Sequence, residues 1–380
     1  MMNKRLMLWL GALLFLTFLI SGCKSEPRSE TIIIPSKDEN FIDDQGSRPF
    51  HVKTIYRLPD NLTDQLLGWS APDSVIGVFS NASADNRVTL GFQRLTPPYE
   101  DPEFLRGLDN MNNLVMSPDG KRITGVIFST KGTSLKLFLL PDGKETEVAT
   151  NTNPDLFLQD VTWSNNSRYL CFLFIDAVKG QSSIGVYDTD SGTLKTYGLK
   201  DIDTKKSLTG VNISDDGRSF LITTLQFNRS GKYNSIIMGT INGSDIKVQY
   251  EQQVGQIQNA WLNNDQFVYL GVDGTLYEYD RRNGELSVLL EKVGSFEFSQ
   301  DRKYIAYSQH DNDTIYAAKF QGKNVLHKEP IYHGIVPSQM FWSPNNNNLL
   351  IYGHKFYASL QSPPGTRNPL DEKAYIISFK

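Results

Sequence analysis

Three hydropathy regimes succeed one another along the chain. Leu6 to Ile20 is apolar apart from Gly11 and Thr17, and Lys4 and Arg5 precede it. The run falls short of the roughly 20 apolar residues that a membrane-spanning helix needs. It has the basic flank and the length of the apolar core of a secretory signal peptide, so residues 1–22 are predicted to be one. Residues 23–49 turn polar, with Pro27, Pro35, Pro49 and many charges, which predicts a flexible tether. Ile32-Ile33-Ile34 interrupts that tether, either as a small docking segment or as a stray apolar triplet. From residue 50 to Lys380 the pattern becomes short apolar runs separated by polar turns, with no long helical periodicity.

Those short runs repeat. An aromatic or aliphatic residue followed by a turn recurs seven times, at Trp69, Met116, Trp163, Ile213, Trp261, Phe298 and Trp342, at intervals of 37 to 50 residues. The fullest copies are Met116-Ser117-Pro118-Asp119-Gly120-Lys121 and Ile213-Ser214-Asp215-Asp216-Gly217-Arg218. Asp and Asn accept backbone hydrogen bonds in such turns, and Gly or Asn tolerates positive φ. A second strand follows each turn, as in Tyr169 to Ile175. A third often runs into a hairpin signal such as Asp142-Gly143, Asn242-Gly243 or Asn283-Gly284. This period is that of a propeller blade. The chain is therefore read as all-β, a single β-propeller over residues 50–380 with seven four-stranded blades, six being the alternative. The last copy lacks a fourth strand, and Val52 to Leu58 precedes the first copy without a blade of its own. Pairing Val52–Leu58 with Ala374–Phe379 would close the ring and remove two open edges. Trp163, Trp261 and Trp342, each ending an inner strand, are predicted to pack between blades.

Two resemblances follow from these residues. Ile20-Ser21-Gly22-Cys23 resembles the lipobox of bacterial lipoproteins. That implies a diacylglyceryl thioether on Cys23, which becomes the mature N-terminus, and a location on the extracytoplasmic side of a cell membrane. Two acyl chains are enough for stable anchoring where one is marginal. The repeat, best represented by Ser117-Pro118-Asp119-Gly120-Lys121, resembles the WD40-like PD40 repeats of TolB-type propellers and of the prolyl oligopeptidase propeller. The matching residues are turn and core positions, so this second resemblance implies a fold and not an activity.

Charge and composition narrow the partners. The chain carries 38 basic and 42 acidic residues. This acidic balance argues against nucleic acid, which takes a basic face, and against charge-driven binding to anionic lipid. With Cys23 assigned to lipid, Cys171 is the one remaining thiol. It sits in the apolar run Tyr169 to Ile175, so the core and not a disulfide must stabilise the domain.

Candidate chemistry is sparse. There is no Gly-x-Ser-x-Gly elbow, P-loop or Cys/His zinc spacing. Of the five histidines, His310 and His354 follow second strands and His333 lies on the link between the sixth and seventh repeats. Propeller topology puts all three on one face. Oligogalacturonate lyases are propellers with related repeats, and they hold manganese with histidines and a glutamine. The resemblance offers His310, His333 and His354 as ligands of a divalent metal, although the family's pair of histidines two residues apart is missing here. The same face carries the longest insertions, at 177–182, 228–234 and 361–373. That makes Gln339, Tyr357 and Arg367 candidates for a binding rim. Three functions stay open. The first is a membrane-anchored scaffold for a protein or envelope polymer. The others are a metal-assisted lyase or hydrolase, and a ligand-sensing accessory subunit of a membrane complex.

Overall fold

The computed structural model describes residues 30–33 and 49–380, apart from 60–64, 83–87, 109, 141, 177, 201, 203–205, 229–230, 311–312 and 356–371. Cys23, Tyr357 and Arg367 lie outside the described residues, as does the apolar run Leu6 to Ile20.

The first strands are β1 (Glu30–Ile33) and β2 (Val52–Arg57). Blade one is β3 (Gln65–Ala71), β4 (Ser74–Ala82), β5 (Val88–Leu95) and β6 (Glu103–Gly107). Blade two is β7 (Met111–Met116), β8 (Arg122–Ser129), β9 (Gly132–Leu139) and β10 (Glu145–Asn151). Blade three is β11 (Leu156–Trp163), β12 (Tyr169–Asp176), β13 (Gln181–Asp188) and β14 (Thr193–Gly198). Blade four is β15 (Ser207–Ile213), β16 (Ser219–Asn228), β17 (Gly231–Asn242) and β18 (Asp245–Val254). Blade five is β19 (Asn259–Trp261), β20 (Gln266–Leu270), β21 (Leu276–Asp280) and β22 (Glu285–Leu290). Blade six is β23 (Val293–Phe298), β24 (Tyr304–Gln309), β25 (Thr314–Gln321) and β26 (Asn324–His333). Blade seven has β27 (Val336–Trp342), β28 (Asn348–His354) and β29 (Glu372–Phe379), with β2 as its fourth strand. All pairings are antiparallel, and the blades number seven, not six.

The ring closes as the sequence predicts. β2 pairs with β29 from Val52 opposite Phe379 to Arg57 opposite Tyr375, and Leu58 N–H donates to Ala374 O. One strand more is present. β1 pairs antiparallel with β2, Glu30 opposite Arg57 and Ile33 opposite Thr54, so Ile32 and Ile33 take the docked reading, while Ile34 lies outside the described residues.

The turn chemistry explains why so diverged a repeat folds seven times. In five blades the motif serine donates its hydroxyl to an Asp or Asn two residues on, at 2.5 to 2.8 Å, as from Ser117 to Asp119 and from Ser343 to Asn345. That side chain accepts a backbone N–H two residues further on, and the serine oxygen accepts the N–H at the start of the second strand. The fourth residue of each such turn lies in the left-handed region: Gly120, Ser167, Gly217, Arg302 and Asn346. At Gly120 a side chain would also run into the backbone of Trp69 and Ser70 in the preceding blade. Neighbouring turns are stapled together, with Asp119 N–H donating to Ser167 Oγ and Asn166 N–H to Asp215 Oδ1.

The core lies between blades. Alternate residues of each strand face opposite neighbours, so Cys171 and Leu173 of blade three pack with Ile213, Phe220 and Ile222 of blade four. Cys171 is fully buried and unbridged, and burial pushes its thiol well above the usual range. Trp163, Trp261 and Trp342 are all buried, as predicted.

Candidate functional site

A propeller has two faces. One carries the motif turns. The other carries the loops between second and third strands together with the links from blade to blade. His310, His333 and His354 all lie on the latter, as the topology predicts. His310 directly follows β24 and is exposed, and its N–H donates to Lys292 O at 2.7 Å. His333 ends β26 and is exposed, with Nδ1 2.9 Å from Thr314 Oγ1. His354 ends β28, opposite Val336 and Glu372. All three are described, yet among the described residues no group of three or more His, Cys, Asp or Glu converges to hold a metal ion. Topology assigns residues to a face but leaves the lateral distance between blades six and seven open. Gln339 lies on the inner strand β27 and is exposed. Below the 177–182 insertion a cavity of about 460 Å³ opens between blades three and four, lined by Asp176, Ser182, Lys200 and Lys206.

The more constructed site is at the opposite end of the central channel, beside the motif turns. In each inner strand the motif residue packs between blades, so the residue before it faces the channel. Gly68, Asn212, Ala260, Glu297 and Phe341 hold this position in five blades. With Trp69, Trp163, Trp261 and Trp342 they line a cavity of about 290 Å³. Carboxamides are concentrated here. Asn165 Nδ2 donates across the channel to Gln300 O at 3.0 Å, and Asn212 Nδ2 reaches Asn259 Oδ1 at 3.5 Å. The neighbouring inner strand is clamped by Gln258, whose Nε2 donates to Phe296 O at 2.5 Å while its Oε1 accepts Phe296 N–H at 3.2 Å.

The tryptophans divide into two pairs. Trp69 Nε1 donates to Phe341 O at 2.8 Å and Trp342 Nε1 to Glu297 O at 3.1 Å, each to the preceding blade. Trp163 Nε1, Trp261 Nε1 and Arg302 Nε are buried without a partner. Unpaired buried donors are uncommon and costly, and these three belong to residues that line one cavity.

Glu297 is the charged centre. Burial pushes its carboxyl up to about 7, against the opposing pull of the Arg302 guanidinium. Burial likewise pulls Arg302 below its ordinary value. Between the ordinary value of 4.5 and about 7, the folded protein keeps a proton that the unfolded chain gives up. Stability must therefore fall as pH rises through that window. Glu297 keeps some surface on the cavity, which bounds the loss at about 3 kcal/mol. Glu297→Gln, which mimics the protonated form, should match wild type in urea unfolding at pH 4 and exceed it by up to this amount at pH 8. Parallel stability curves for the two proteins would show that Glu297 does not titrate here. Sequence reasoning passed over Glu297. The available signal was a lone carboxylate at the channel-facing position of an inner strand.

No family model matches this chain, and no curated protein matches it. Solved structures share its fold. The β-propeller domain of the Trilobed protease from Pyrococcus furiosus superposes with a TM-score of 0.52 at 12% identity, covering 83% of this chain and 93% of that one. An oligogalacturonate lyase in complex with manganese gives 0.56 at 10% identity, over 93% and 99%. TolB from Acinetobacter baumannii gives 0.40 at 15% identity, over 80% of each chain. For the first two the likeness is one of fold at such identities, and it agrees with the strand order: this protein is a seven-bladed β-propeller. The manganese belongs to the lyase, and the described histidines here do not reproduce a site for it.

Proposed function

We propose that this protein is a lipid-anchored, extracytoplasmic binding propeller that takes a polar segment of a protein or envelope polymer at the motif-turn mouth of its channel. The observation that carries the reading is the cavity of about 290 Å³ lined by indole edges, Asn165, Asn212, Asn259 and Gln300 around Glu297 and Arg302. Amides held on inner strands and motif turns, with one carboxylate on an inner strand, suit amide- or hydroxyl-bearing groups, and aromatic edges supply apolar contact. The anchor rests on the run Leu6 to Ile20 and on Ile20-Ser21-Gly22-Cys23. The metal-assisted reading has no three-residue ligand set among the described residues.

Two measurements test the two halves. Labelled fatty acid should enter the wild-type protein and not Cys23→Ser, which should shift to the soluble fraction. Equal labelling in both would remove the anchor. Isolated envelope polymer and solubilised membrane proteins should be retained by immobilised wild-type protein. Retention should be at least tenfold weaker with an Asn212→Ala, Asn259→Ala double variant that melts like wild type. Undiminished retention would move binding away from the channel mouth.

A further inference from the structure

Large apolar side chains are exposed unevenly on the two faces. Phe128 is the last residue but one of β8, Phe157 the second residue of β11, and Phe227 the last but one of β16, while Val178 lies in the turn after β12. Ile257 lies on the link from blade four to five, and Val272 in the turn after β20. All six are 50 to 74% exposed and all lie on the link-bearing face, across blades two to five. Of the other exposed large apolar side chains among the described residues, Leu90 and Val288 are on third or outermost strands, and Phe104, Leu286 and Leu326, 40 to 50% exposed, lie on outermost strands near their motif-turn ends. Single exposed apolar residues are ordinary, but six that gather on one face, across four neighbouring blades, mark a surface that meets something apolar.

The path of the chain identifies what that is. β1 runs antiparallel to β2 with Glu30 opposite Arg57. Arg57 is the end of β2 that leads into the link towards blade one, so the chain enters β1 from the link-bearing face. Seven residue steps separate Cys23 from Glu30, a reach of at most about 25 Å. A lipid on Cys23 would therefore hold the blade-seven rim of this face close to the bilayer. The apolar side chains lie on the far side of the same face, which gives the ring a second point of contact. Charge on the face is mixed, with Lys131, Lys232 and Lys292 exposed alongside Asp155 and Asp273, so apolar insertion and not charge would drive the contact.

We propose that the link-bearing face lies on the lipid bilayer, with these six side chains at the headgroup boundary, and that the motif-turn mouth of the channel faces away from the membrane. This rests on the anchor reading of Cys23. It places the proposed binding mouth towards the envelope and deepens that reading.

The test uses the full-length protein in vesicles of phosphatidylcholine and phosphatidylglycerol that carry nitroxide-labelled lipid. A fluorophore is attached in turn at Phe128→Cys, Phe227→Cys or Val272→Cys on the apolar face, and at Asp142→Cys or Asn283→Cys on the motif-turn face. Cys171 is fully buried and stays unlabelled. Quenching should be at least threefold stronger at 128, 227 and 272 than at 142 and 283. Equal quenching, stronger quenching at 142 and 283, or labels at 128, 227 and 272 that are shielded by a co-purifying protein and not by lipid would each overturn the orientation. Release of Cys23→Ser from membranes is scored separately. A wild-type protein that is anchored but not quenched at the apolar face thus refutes the docking and leaves the anchor standing.

Discussion

Replacing Trp342 with alanine should destabilise the protein by about 3–5 kcal/mol, the range for a large buried aromatic. Trp342 is 8% exposed and joins two blades to the N-terminal segment. Its ring centroid lies 6.1 Å from Phe50, 6.0 Å from Tyr304 and 5.8 Å from Phe379. Its indole N–H also ties blade seven to blade six through Glu297 O. The milder change to phenylalanine separates these contributions. Trp342→Phe gives up packing volume and a hydrogen bond, whereas Trp261→Phe gives up packing volume alone, because Trp261 Nε1 has no partner. The first should cost about 1 kcal/mol more than the second, the net worth of an ordinary hydrogen bond. Urea midpoints compare the four proteins. In a ring of repeats the loss is local at first, so hydrogen exchange should rise earliest in blades six and seven. A Trp342→Ala protein with the wild-type midpoint would mean that the residue does not bear load between blades.

The parts legible in the sequence are those in which a few residues perform fixed local chemistry. The Ser-x-Asp turn is such a unit. Its serine, its Asp or Asn and its left-handed fourth residue satisfy one another within six positions, so they mark blades even where the strands have diverged. Closure was legible for a different reason. Seven motif copies with one strand lacking at the end and one left over at the start admit few arrangements without open edges. The triplet Ile32-Ile33-Ile34 was ambiguous because a short apolar run does not name its partner. Only the pairing of Ile32 with Ile55 and of Ile33 with Thr54 shows where its first two residues sit. The histidines mark the limit of topology. Their shared face follows from strand order, but a metal site depends on ångström-scale approach across loops that no repeat constrains. Glu297 was missed because alternation along an inner strand shows that a residue faces the channel only once the strand is known to be innermost.

Deleting residues 50–58 should have the largest effect of any short deletion and should leave a chain with little or no cooperative unfolding. The segment supplies the fourth strand of blade seven, and it buries Phe50, Ile55 and Leu58, each under 9% exposed. Phe50 packs edge-on against Tyr304 and Phe379 at 5.3 and 5.6 Å, so it reaches beyond its own sheet into blade six. Burial of such side chains stabilises by about 1.5–3 kcal/mol each, so three together approach the 5–15 kcal/mol net stability typical of a domain. The deletion also leaves β29 with an unpaired edge, an invitation to pair with other chains, so the variant should elute from a sizing column as larger species. Deleting residues 24–45 is the informative control. It removes β1, a fifth strand outside the blade, but leaves β2, Phe50 and Leu58 in place, and it should lower the midpoint only slightly. The comparison decides what the N-terminal segment does. If both deletions are equally mild, β2 is not what closes the ring. If both are equally severe, the outer strand β1 is part of the closure and the clasp has two strands instead of one.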